Sequence, residues 1–421
     1  MSLLRSSYYG LTWLSSPLVS GYLKWATLKG REDKLRVLER KGIASLPRPN
    51  KPLLWIHAVS VGESIMALSI IHAIVRVYSG IGILLTTTTT SSAKVVSNKL
   101  PRNVIHQYAP VDTPQAVKKF LDYWQPDLGF WIESDLWPNI VHQTQERGIP
   151  TLLLNGRISP KSFTYWQKGR SLISPLLKNL ALCAVQSEDQ VPLFEALGAT
   201  TVSVMTNAKF LTTPLTVDGA AYASFKRAVG DRPVWLAAST HAGEEEIVFK
   251  AHEQLKKDYP TLLTILVPRH VERAEDIRQA ALKKGIPTML RTETTSLDDA
   301  ELYIANTLGE LGLFYALTPV AMMGATFVPK GGHNPIEAAQ LGAFVLHGPH
   351  IFKNPQLYQI LHSLGLAQET EDLYAAIVPW LKTPKKDYVE PVSFKDYREK
   401  GLQSLLHLLK PYLTALRESK R

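Results

Sequence analysis

Three glutamates stand where a predicted strand gives way to a helix, and a carboxylate at such a place can do chemistry. They are Glu63 in Ser60-Val61-Gly62-Glu63, Glu310 in Thr307-Leu308-Gly309-Glu310 and Glu337 in Asn334-Pro335-Ile336-Glu337. A carboxylate there can act as a general base toward a substrate hydroxyl. Ser or Thr followed three residues later by Glu is also the spacing of a capping box, which starts a helix. For each glutamate alone the spacing favours the cap, so neighbouring residues must decide.

Glycines accompany these turns and would expose backbone N–H groups to a ligand. Gly62, Gly309 and the pair Gly331-Gly332 allow a ligand to approach the backbone, and the positive end of a helix dipole favours an anion. These features predict a phosphate-bearing ligand. The sequence contains neither a GxGxxG dinucleotide fingerprint after a strand nor a GxxxxGK[ST] P-loop, which disfavours hydride transfer and ATP hydrolysis.

Other strand ends carry charged groups that suit an anionic ligand. In Val267-Pro268-Arg269-His270, a guanidinium stands where it could bind a phosphate through two hydrogen bonds. Glu133 and Asp135 end another strand, and Lys209 lies beside an expected domain boundary. Each of these residues alone could be a solvated loop residue or half of a surface ion pair. If two sheets face each other, the charged groups would surround one cleft.

Short β-rich runs alternate with helix-length segments from the Pro-rich stretch 47–52 onward, which predicts βαβ units and parallel sheets. The first series of predicted strands is 53–57, 83–87, 104–108, 128–132, 152–154, 182–185 and 202–205. The second series is 234–237, 262–267, 302–305, 320–323 and 344–346. In open α/β sheets, ligands bind beyond the carboxyl ends of the strands, which is where the charged groups stand. The sequence therefore predicts two doubly wound, Rossmann-like α/β domains.

The expected domain boundaries follow from this pattern. We predict an N-terminal segment at 1–50, a first domain at 51–212, a second domain at 213–395 and a closing helix at 396–421. Leucines between 402 and 416 have helical spacing, although Pro411 interrupts them, and we expect them to face the core.

The composition is that of a folded, two-domain protein. The chain has 421 residues, of which 45% are hydrophobic and 20% are charged, so disordered and fibrous classes are excluded. The single cysteine, Cys183, excludes an internal disulfide and a thiolate zinc cage and favours a reducing compartment. His57, His347 and His350 lack carboxylates at metal-ligand spacing, so we expect no metal site.

Basic residues are concentrated near the N-terminus. Residues 1–50 contribute +6 of the net charge of +10, from nine basic and three acidic side chains. Trp13, Tyr22 and Trp25 stand among apolar residues, but the segment lacks the ~20 consecutive apolar residues of a spanning helix and has no signal-peptide cleavage site. Two interpretations stay open: a segment lying in a membrane interface, or an ordinary helix packed on the first domain.

Eight motifs occur in the order found in a known enzyme family. They are His57-Ala58-Val59-Ser60-Val61-Gly62-Glu63, Ile132-Glu133 to Trp137-Pro138-Asn139, Asn155-Gly156-Arg157, Asn207-Ala208-Lys209-Phe210, Ser239-Thr240-His241, Val267-Pro268-Arg269-His270, Leu308-Gly309-Glu310-Leu311-Gly312 and Gly331-Gly332-His333-Asn334-Pro335-Ile336-Glu337. From about residue 51 to about residue 360 the chain resembles the bacterial Kdo transferases. These enzymes move 3-deoxy-D-manno-octulosonic acid (Kdo) from CMP-Kdo onto the lipid A precursor in lipopolysaccharide assembly. In one departure, Asn306-Thr307-Leu308 stands where the family usually has Asp-Thr before Met-Gly-Glu.

The resemblance implies a GT-B fold, with the acceptor on the N-terminal Rossmann-like domain and the nucleotide sugar on the C-terminal one. It implies that Glu63 is the general base of an inverting displacement and that Glu133 and Lys209 stabilise the transition state. It also implies contacts with CMP by Pro268, Arg269, Leu308, Gly309, Glu310, Asn334, Pro335, Ile336 and Glu337. We expect no cofactor and no metal, since basic side chains and backbone amides can meet the single phosphate of CMP.

The partners implied by the resemblance account for the N-terminal charge. The lipid A precursor is an anionic lipid, so the enzyme must reach the headgroup plane of its membrane. The basic, aromatic segment would hold the enzyme on the anionic cytoplasmic face of the bacterial inner membrane, at about 1 kcal/mol for each basic residue near the surface. We expect no nucleic-acid partner.

Two other functions remain open at this point. A different GT-B glycosyltransferase, with a UDP-sugar donor and a lipid-linked acceptor, would share the architecture, and a panel of donors distinguishes it. A non-catalytic basic protein that binds membranes or nucleic acid would show salt-sensitive binding. Such a protein would be indifferent to Glu63→Gln, whereas an enzyme would lose transfer.

Overall fold

The computed structural model of the chain describes residues 3–133, 135–293, 297–382 and 387–418. The described chain divides into two compact units. Unit 1 consists of the residues up to Thr212 together with those from Arg398 onward, and unit 2 is Thr213–Tyr397. In both units, all the strand pairs among the described residues are parallel. The predicted pair of α/β domains with parallel sheets is therefore confirmed.

Unit 1 alternates strands and helices around one sheet. Its strands are β1 (Leu53–His57), β2 (Gly82–Thr87), β3 (Val104–Tyr108), β4 (Leu128–Ile132), β5 (Thr151–Gly156), β6 (Leu182–Val185) and β7 (Val202–Val204). Its helices before residue 212 are α1 (Leu3–Leu14), α2 (Ser16–Leu28), α3 (Val61–Val77), α4 (Thr90–Ser97), α5 (Pro114–Trp124), α6 (Pro138–Glu146), α7 (Pro160–Lys168), α8 (Arg170–Lys178) and α9 (Val191–Leu197). The strand order is β3-β2-β1-β4-β5-β6-β7. Strands β1 and β4 are buried throughout, because helices cover both faces of a parallel sheet.

Unit 2 repeats this plan. Its strands are β8 (Val234–Thr240), β9 (Leu263–Pro268), β10 (Thr288–Leu290), β11 (Leu302–Ile304), β12 (Val320–Met323), β13 (Phe344–His347) and β14 (Ala367–Glu369). Its helices are α10 (Gly219–Val229), α11 (Glu244–Asp258), α12 (Ala274–Lys283), α13 (Leu311–Leu317), α14 (Ile336–Gln340), α15 (Pro355–Ser363) and α16 (Leu373–Leu381). The strand order is β10-β11-β9-β8-β12-β13-β14. The predicted strands did not include β10 and β14, which are three-residue edge strands with a weak apolar signal.

The last helix, α17 (Val392–Glu418), closes the core of unit 1 with its C-terminal part. Side chains alternate across β1, so Leu54 and Ile56 enter one apolar cluster while Trp55 enters the cluster on the other face. The first cluster includes Leu405, Leu409, Leu413 and Leu416 of α17, each at most 4% exposed. The expectation that these leucines face the core is confirmed. Pro411 lies within α17 without ending it.

Helices α1 and α2 pack on unit 1 through one face. The Tyr8 hydroxyl donates a 2.8 Å hydrogen bond to Asp112, and Asn139 Nδ2 donates to Thr12 Oγ1 at 2.9 Å. Their other face presents large apolar side chains that are 44–79% exposed: Leu4, Tyr9, Leu11, Trp13, Leu14, Leu18, Tyr22, Trp25 and Leu28. Neither helix is long and apolar enough to cross a membrane, and the same holds for every other helix in the described ranges.

Candidate functional site

The strand order of unit 1 defines where a ligand site can form. Strands β1 and β4 are neighbours at the centre of the sheet, and the helices that follow them lie on opposite faces. Met66 of α3 packs in the cluster with Leu54, whereas Ile140 of α6 packs in the cluster with Trp55. A crevice opens at the carboxyl ends of strands where the winding reverses in this way, and ligands bind there in open α/β sheets. Glu63 follows β1 and Glu133 follows β4, so both predicted residues stand at this point.

Glu63 lies in the first turn of α3 and is 5% exposed. Its Oε2 accepts the Val59 N–H at 2.7 Å, and its Oε1 accepts the Ser60 hydroxyl at 2.7 Å and the Ser60 N–H at 3.3 Å. Ser60 Oγ accepts the Glu63 N–H in return, which confirms the predicted capping box. Burial raises the pKa of Glu63, the bonds from Ser60 and Val59 lower it, and Asp135 and Glu133 raise it, with a net upward shift.

Glu133 follows β4 in a left-handed backbone conformation, with φ of 61°. Its N–H donates to the Leu154 carbonyl at 2.8 Å, which continues the pairing of β4 with β5 by one residue. A non-glycine residue held in this region costs of order 1–3 kcal/mol, and such residues cluster at functional sites. Burial raises the pKa of Glu133, Lys209 and Arg157 lower it, and Asp135 raises it. Its carboxylate is therefore within electrostatic reach of two cations and a second acid.

Lys209 lies in a short 3₁₀ turn, Ala208–Leu211, beyond the end of β7. Asn155 Oδ1 accepts the Ala208 N–H at 2.8 Å, and Asn207 Oδ1 accepts the Lys209 N–H at 3.1 Å. Two asparagine side chains thus set the direction of the turn. Burial lowers the pKa of Lys209, the carboxylate of Glu133 raises it and Arg157 lowers it, with a net downward shift.

Three further residues of unit 1 belong to this group but were not among the predicted catalytic residues: Asp135, Asn155 and Arg157. All three stand within the motifs of the sequence, so motif membership was the available signal. The contact of Asn155 with Ala208, 53 positions away, has no local signal. Asn155 is itself left-handed, with φ of 62°.

The equivalent point of unit 2 lies beyond β8 and β12, the neighbouring strands at its centre. Pro268 is the buried last residue of β9. Strand β9 pairs with β8 on the side of β8 that faces away from β12. The next residue, Arg269, donates its N–H to the Thr240 carbonyl at 3.0 Å and has an exposed side chain. Burial is the main cause of the lowered pKa of His241 and His333, and neighbouring histidines and cations, Arg269 among them, lower it further. The structure therefore brings the ends of β8 and β9 and the turn after β12 together.

Residues 324–334, which we name the β12 turn, are held by a carboxylate outside the predicted set. Glu244 is fully buried at the start of α11. Its two oxygens accept the N–H groups of His241 at 2.9 Å, Ala325 at 2.8 Å, and Thr326 and Phe327 at 3.1 Å each. The sequence signal is weak, since Glu244-Glu245-Glu246 is an ordinary acidic first turn.

Four of the predicted CMP-binding residues, Asn334 to Glu337, lie where the β12 turn leads into α14. Asn334 Oδ1 accepts the Ile336 N–H at 3.2 Å, and α14 begins at Ile336, one residue after Pro335. Glu337 lies in the first turn of this helix, and burial raises its pKa. The N-cap residue, Pro335, makes no side-chain cap bond. Asn334 therefore shapes the turn that leads into the helix.

The third predicted CMP-binding segment, Leu308 to Glu310, is built differently from the prediction. Helix α13 begins at Leu311 with Glu310 at its N-cap, so the capping-box interpretation of Thr307-Leu308-Gly309-Glu310 is wrong. Glu310 instead pairs with Arg291, through Oε1 at 2.8 Å and Oε2 at 3.2 Å. Hydrogen bonding from Arg291 lowers the pKa of Glu310. Leu308 is 81% exposed, and Gly309 is left-handed with φ of 85°.

Asn306, at the position of the departure from the family pattern, has a defined role. Its Oδ1 accepts the Thr292 N–H at 3.1 Å, and its Nδ2 donates to Thr292 Oγ1 at 2.9 Å. An ionised aspartate could accept from both the N–H and the hydroxyl of Thr292, but it could not donate to Thr292 Oγ1 as the amide does. In this chain the amide therefore ties the Leu308 segment to the residues that follow β10.

In the parts of the chain that the structure describes, no three or more His, Cys, Asp or Glu side chains are grouped to hold a metal ion. We call the two places where the winding of a sheet reverses its switch points. The charged groups there are lysine, arginine, histidine and carboxylates that pair with cations or accept backbone N–H groups. Such groups suit proton transfer and anion binding.

Comparisons with known proteins agree with this chemistry. A family model described as 3-deoxy-D-manno-octulosonic-acid transferase (kdotransferase) matches residues 35–212. The 3-deoxy-D-manno-octulosonic acid transferase of Rickettsia bellii is 35% identical over 400 residues, which cover 94% of each chain. The enzyme of that name from Haemophilus influenzae is 32% identical over 427 residues, which cover 97% of this chain and 99% of that one.

Solved structures with low sequence identity share the fold. The UDP-GlcNAc 2-epimerase of Neisseria meningitidis, bound to UDP-GlcNAc, is 12% identical with a TM-score of 0.53, covering 84% of this chain and 99% of that one. An Anabaena protein in complex with UDP and glucose is 11% identical with a TM-score of 0.52, covering 86% and 99%. These similarities concern the fold alone, which is GT-B-like with two parallel-sheet α/β domains.

Proposed function

The chain belongs to the 3-deoxy-D-manno-octulosonic acid (Kdo) transferase family of glycosyltransferases, and we propose that it moves Kdo from CMP-Kdo to the lipid A precursor in lipopolysaccharide biosynthesis, with inversion at the anomeric carbon. The observation that carries the proposal is the similarity to two transferases of that name over more than nine tenths of the chain. The positions of Glu63 and Glu133 at the switch point of unit 1 support the acceptor chemistry, and the basic turn ends of unit 2 support the donor chemistry.

In the proposed reaction Glu63 is the general base. The acceptor hydroxyl oxygen forms a bond to the anomeric carbon of Kdo, and its proton passes to the Glu63 carboxylate. The bond from that carbon to the phosphate oxygen breaks, and CMP leaves with the electron pair. The base must be ionised at the start, and the hydrogen bonds from Ser60 and Val59 stabilise the ionised form against the effect of burial.

Lys209 and Glu133 would stabilise the transition state as a pair. A lysine cation offsets negative charge that develops as the sugar–phosphate bond breaks. Burial alone would favour neutral Lys209, and the carboxylate of Glu133 acts in the opposite direction. Glu133 thus supports the charge that Lys209 needs, which is a reason for the presence of an acid beside a catalytic cation.

The donor would bind at the switch point of unit 2. Arg269 offers a guanidinium for the phosphate of CMP, and the first turn of α14 offers backbone N–H groups. Carboxylates such as Glu337 can accept hydrogen bonds from ribose hydroxyls. Because these groups supply positive charge and hydrogen-bond acceptors, the proposal needs no cofactor.

We further propose that the enzyme works on the anionic cytoplasmic face of the inner membrane and that the exposed face of α1 and α2 lies in the headgroup region. Trp13, Tyr22 and Trp25 are about half exposed on this face, together with leucines. Aromatic side chains beside basic residues are typical of interfacial helices. The hydrogen bond from Tyr8 to Asp112 supports this, because it ties the opposite face to unit 1.

The activity is tested by incubating the purified protein with a CMP-Kdo-generating system and a tetra-acylated lipid A precursor and weighing the product by mass spectrometry. We expect a mass increase of whole Kdo units, no product with Glu63→Gln, and CMP affinity close to native in that variant. Glu195→Gln, an exposed glutamate of α9, is the matched control. Turnover with UDP-sugars and none with CMP-Kdo would refute the proposal.

The membrane proposal is tested by flotation with vesicles of phosphatidylcholine alone or mixed with phosphatidylglycerol. The native protein should float with the anionic vesicles, and the double variant Leu14→Ser, Leu18→Ser should float much less. Val77→Ser, which changes an apolar side chain 58% exposed at the end of α3, is the control. Equal flotation of the double variant and the control would contradict the proposal.

A further inference from the structure

Two histidines at the switch point of unit 2 face each other through their ring nitrogens. The Nε2 atoms of His241 and His333 are 3.0 Å apart, and their rings are 5.1 Å apart between centroids with an angle of 12° between planes. His241 is the first residue after β8, and His333 lies in the β12 turn. The pair therefore stands between the two central strands, where an α/β sheet binds its ligand.

The surroundings of the pair are basic. From the turn after β9 come Arg269, His270 and Arg273, from the β12 turn comes Lys330, and from the segment after β13 comes Lys353. Within the described residues, the side chains of Arg269, Lys330 and Lys353 have no carboxylate oxygen within 4.0 Å. Arg273 is neutralised by Glu245 at 2.8 Å. An excess of positive charge with few local carboxylates is the environment of an anion-binding site.

The backbone on both sides of the pair is fixed before any ligand arrives. Glu244 accepts the His241 N–H and three N–H groups of the β12 turn, so one carboxylate holds both histidine segments. Tyr358 donates its hydroxyl proton to the His333 carbonyl at 2.8 Å. Ser239 and Ala325, which flank these contacts, are left-handed with φ of 57° and 64°. Strained backbone of this kind persists where the surroundings over-determine it, and it clusters at ligand sites.

We propose that His241 and His333 bind the phosphate of the nucleotide sugar, each donating Nε2–H to a phosphate oxygen, and that the pair takes up a proton when the anion binds. This inference rests on the proposed function for the identity of the ligand, CMP-Kdo. The chemistry it invokes, recognition of a phosphate ester by two imidazoles, applies to any nucleotide that the site accepts.

Proton uptake follows from the charge that a bound phosphate places beside this pair. With both rings neutral, one Nε2–H can donate to the other Nε2, and only one proton lies between them. Both rings can present an Nε2–H to a phosphate either by moving the Nδ1 proton of the accepting ring to Nε2 or by taking up a second proton, and the negative charge of the phosphate favours the protonated pair. Burial and then the neighbouring cations lower the pKa of His241, and they lower the pKa of His333 to about 4. Both rings of the unliganded pair are therefore uncharged at neutral pH. A bound anion acts in the opposite direction to the neighbouring cations and raises the pKa of both histidines.

The first test measures CMP binding by titration calorimetry near pH 7 in buffers of different ionisation enthalpy, with cytidine as the probe that lacks phosphate. The native protein should take up protons with CMP but not with cytidine. His241→Gln and His333→Gln should each weaken CMP binding roughly tenfold, the scale of one lost hydrogen bond to a charged group, and abolish the uptake. Cytidine binding should be unchanged, as should CMP binding by His407→Gln, which alters an exposed histidine of α17.

The native protein alone can refute the proposal, so it does not depend on whether the variants fold. Absence of proton uptake with CMP, or CMP affinity within twofold of native in both variants, would overturn it. Failure of the proposed function gives a different pattern. A protein that does not transfer Kdo but binds UMP or inorganic phosphate with proton uptake through this pair would keep the phosphate site and lose its assignment to CMP-Kdo.

Discussion

The Ser60 hydroxyl donates to Oε1 of Glu63 over 2.7 Å, and Ser60 Oγ accepts the N–H of the same glutamate. The residue that caps helix α3 is therefore also the residue that stabilises the carboxylate charge of the proposed base. The sequence spacing left a choice between a cap and a catalytic role, and the structure makes the two compatible. The hydrogen bonds of the cap orient the Glu63 carboxylate and favour its ionised form, the state that a base requires, against the upward shift that burial gives its pKa.

Ser60→Ala should move the acidic limb of the activity profile to higher pH. The substitution removes a hydrogen bond to ionised Glu63, so the pKa of Glu63, already raised by burial, rises further and more of the base is protonated at a given pH. Loss of the cap should also cost about 1 kcal/mol of unfolding free energy. The checks are kcat/KM against pH and chemical denaturation, with Ser60→Thr restoring the hydroxyl. An unmoved limb in Ser60→Ala would argue against Glu63 as the titrating base.

Asp135→Asn should move the same limb in the opposite direction. The negative charge of Asp135 raises the pKa of Glu63, so the neutral amide lowers that pKa and keeps the base ionised to lower pH. The measurement is again kcat/KM against pH, and Asp299→Asn, at an exposed aspartate of unit 2, serves as the control. A limb that shifts upward, or equally in both variants, would contradict the electrostatic coupling of Asp135 with Glu63.

Tyr8→Phe should loosen the N-terminal helices. The Tyr8 hydroxyl donates to the buried carboxylate of Asp112, and its removal leaves an acceptor with one partner fewer at a cost of roughly 1–3 kcal/mol. Faster hydrogen exchange in α1 together with a lower denaturation midpoint would show this. Tyr9→Phe is a matched control, because Tyr9 is 48% exposed. Equal stability of the two variants would mean that the Tyr8 bond does not hold the helix.

Gly324→Ala should destabilise unit 2. A Cβ built on Gly324 would lie 2.0 Å from the Ser239 carbonyl oxygen, which is backbone and cannot turn aside. Overpacking of this kind typically costs 1–3 kcal/mol, and because Ser239 leads to His241, CMP affinity should fall as well. Gly219→Ala, where a Cβ meets open space, should change the unfolding free energy by less than about 0.5 kcal/mol. Native stability in Gly324→Ala would show that β8 and β12 can separate at this point.

Most of the strands could be predicted because their signal is local. Runs such as Leu53–His57 are buried on both faces of a parallel sheet, so they are apolar throughout and stand out in the sequence. The edge strands β10 and β14 lack this signal, since edge strands are covered less completely. The cap at Glu63 was predictable from its spacing, whereas the same spacing at Glu310 was misleading because Arg291, 19 positions earlier, pairs with that carboxylate.

The sequence by itself determined which side chains stand at the carboxyl ends of strands, since alternating apolar runs and turns set those positions locally. It therefore contained Glu63, Glu133, Lys209 and Arg269 as candidates, together with the family to which the chain belongs. Only the tertiary structure decided which strand ends are neighbours, because β1 pairs with β4 and β8 with β12 across long stretches of chain. That non-local pairing brings His241 to His333 and lets Glu244 hold both of their segments, and no local pattern encodes a contact made over 80 or more positions.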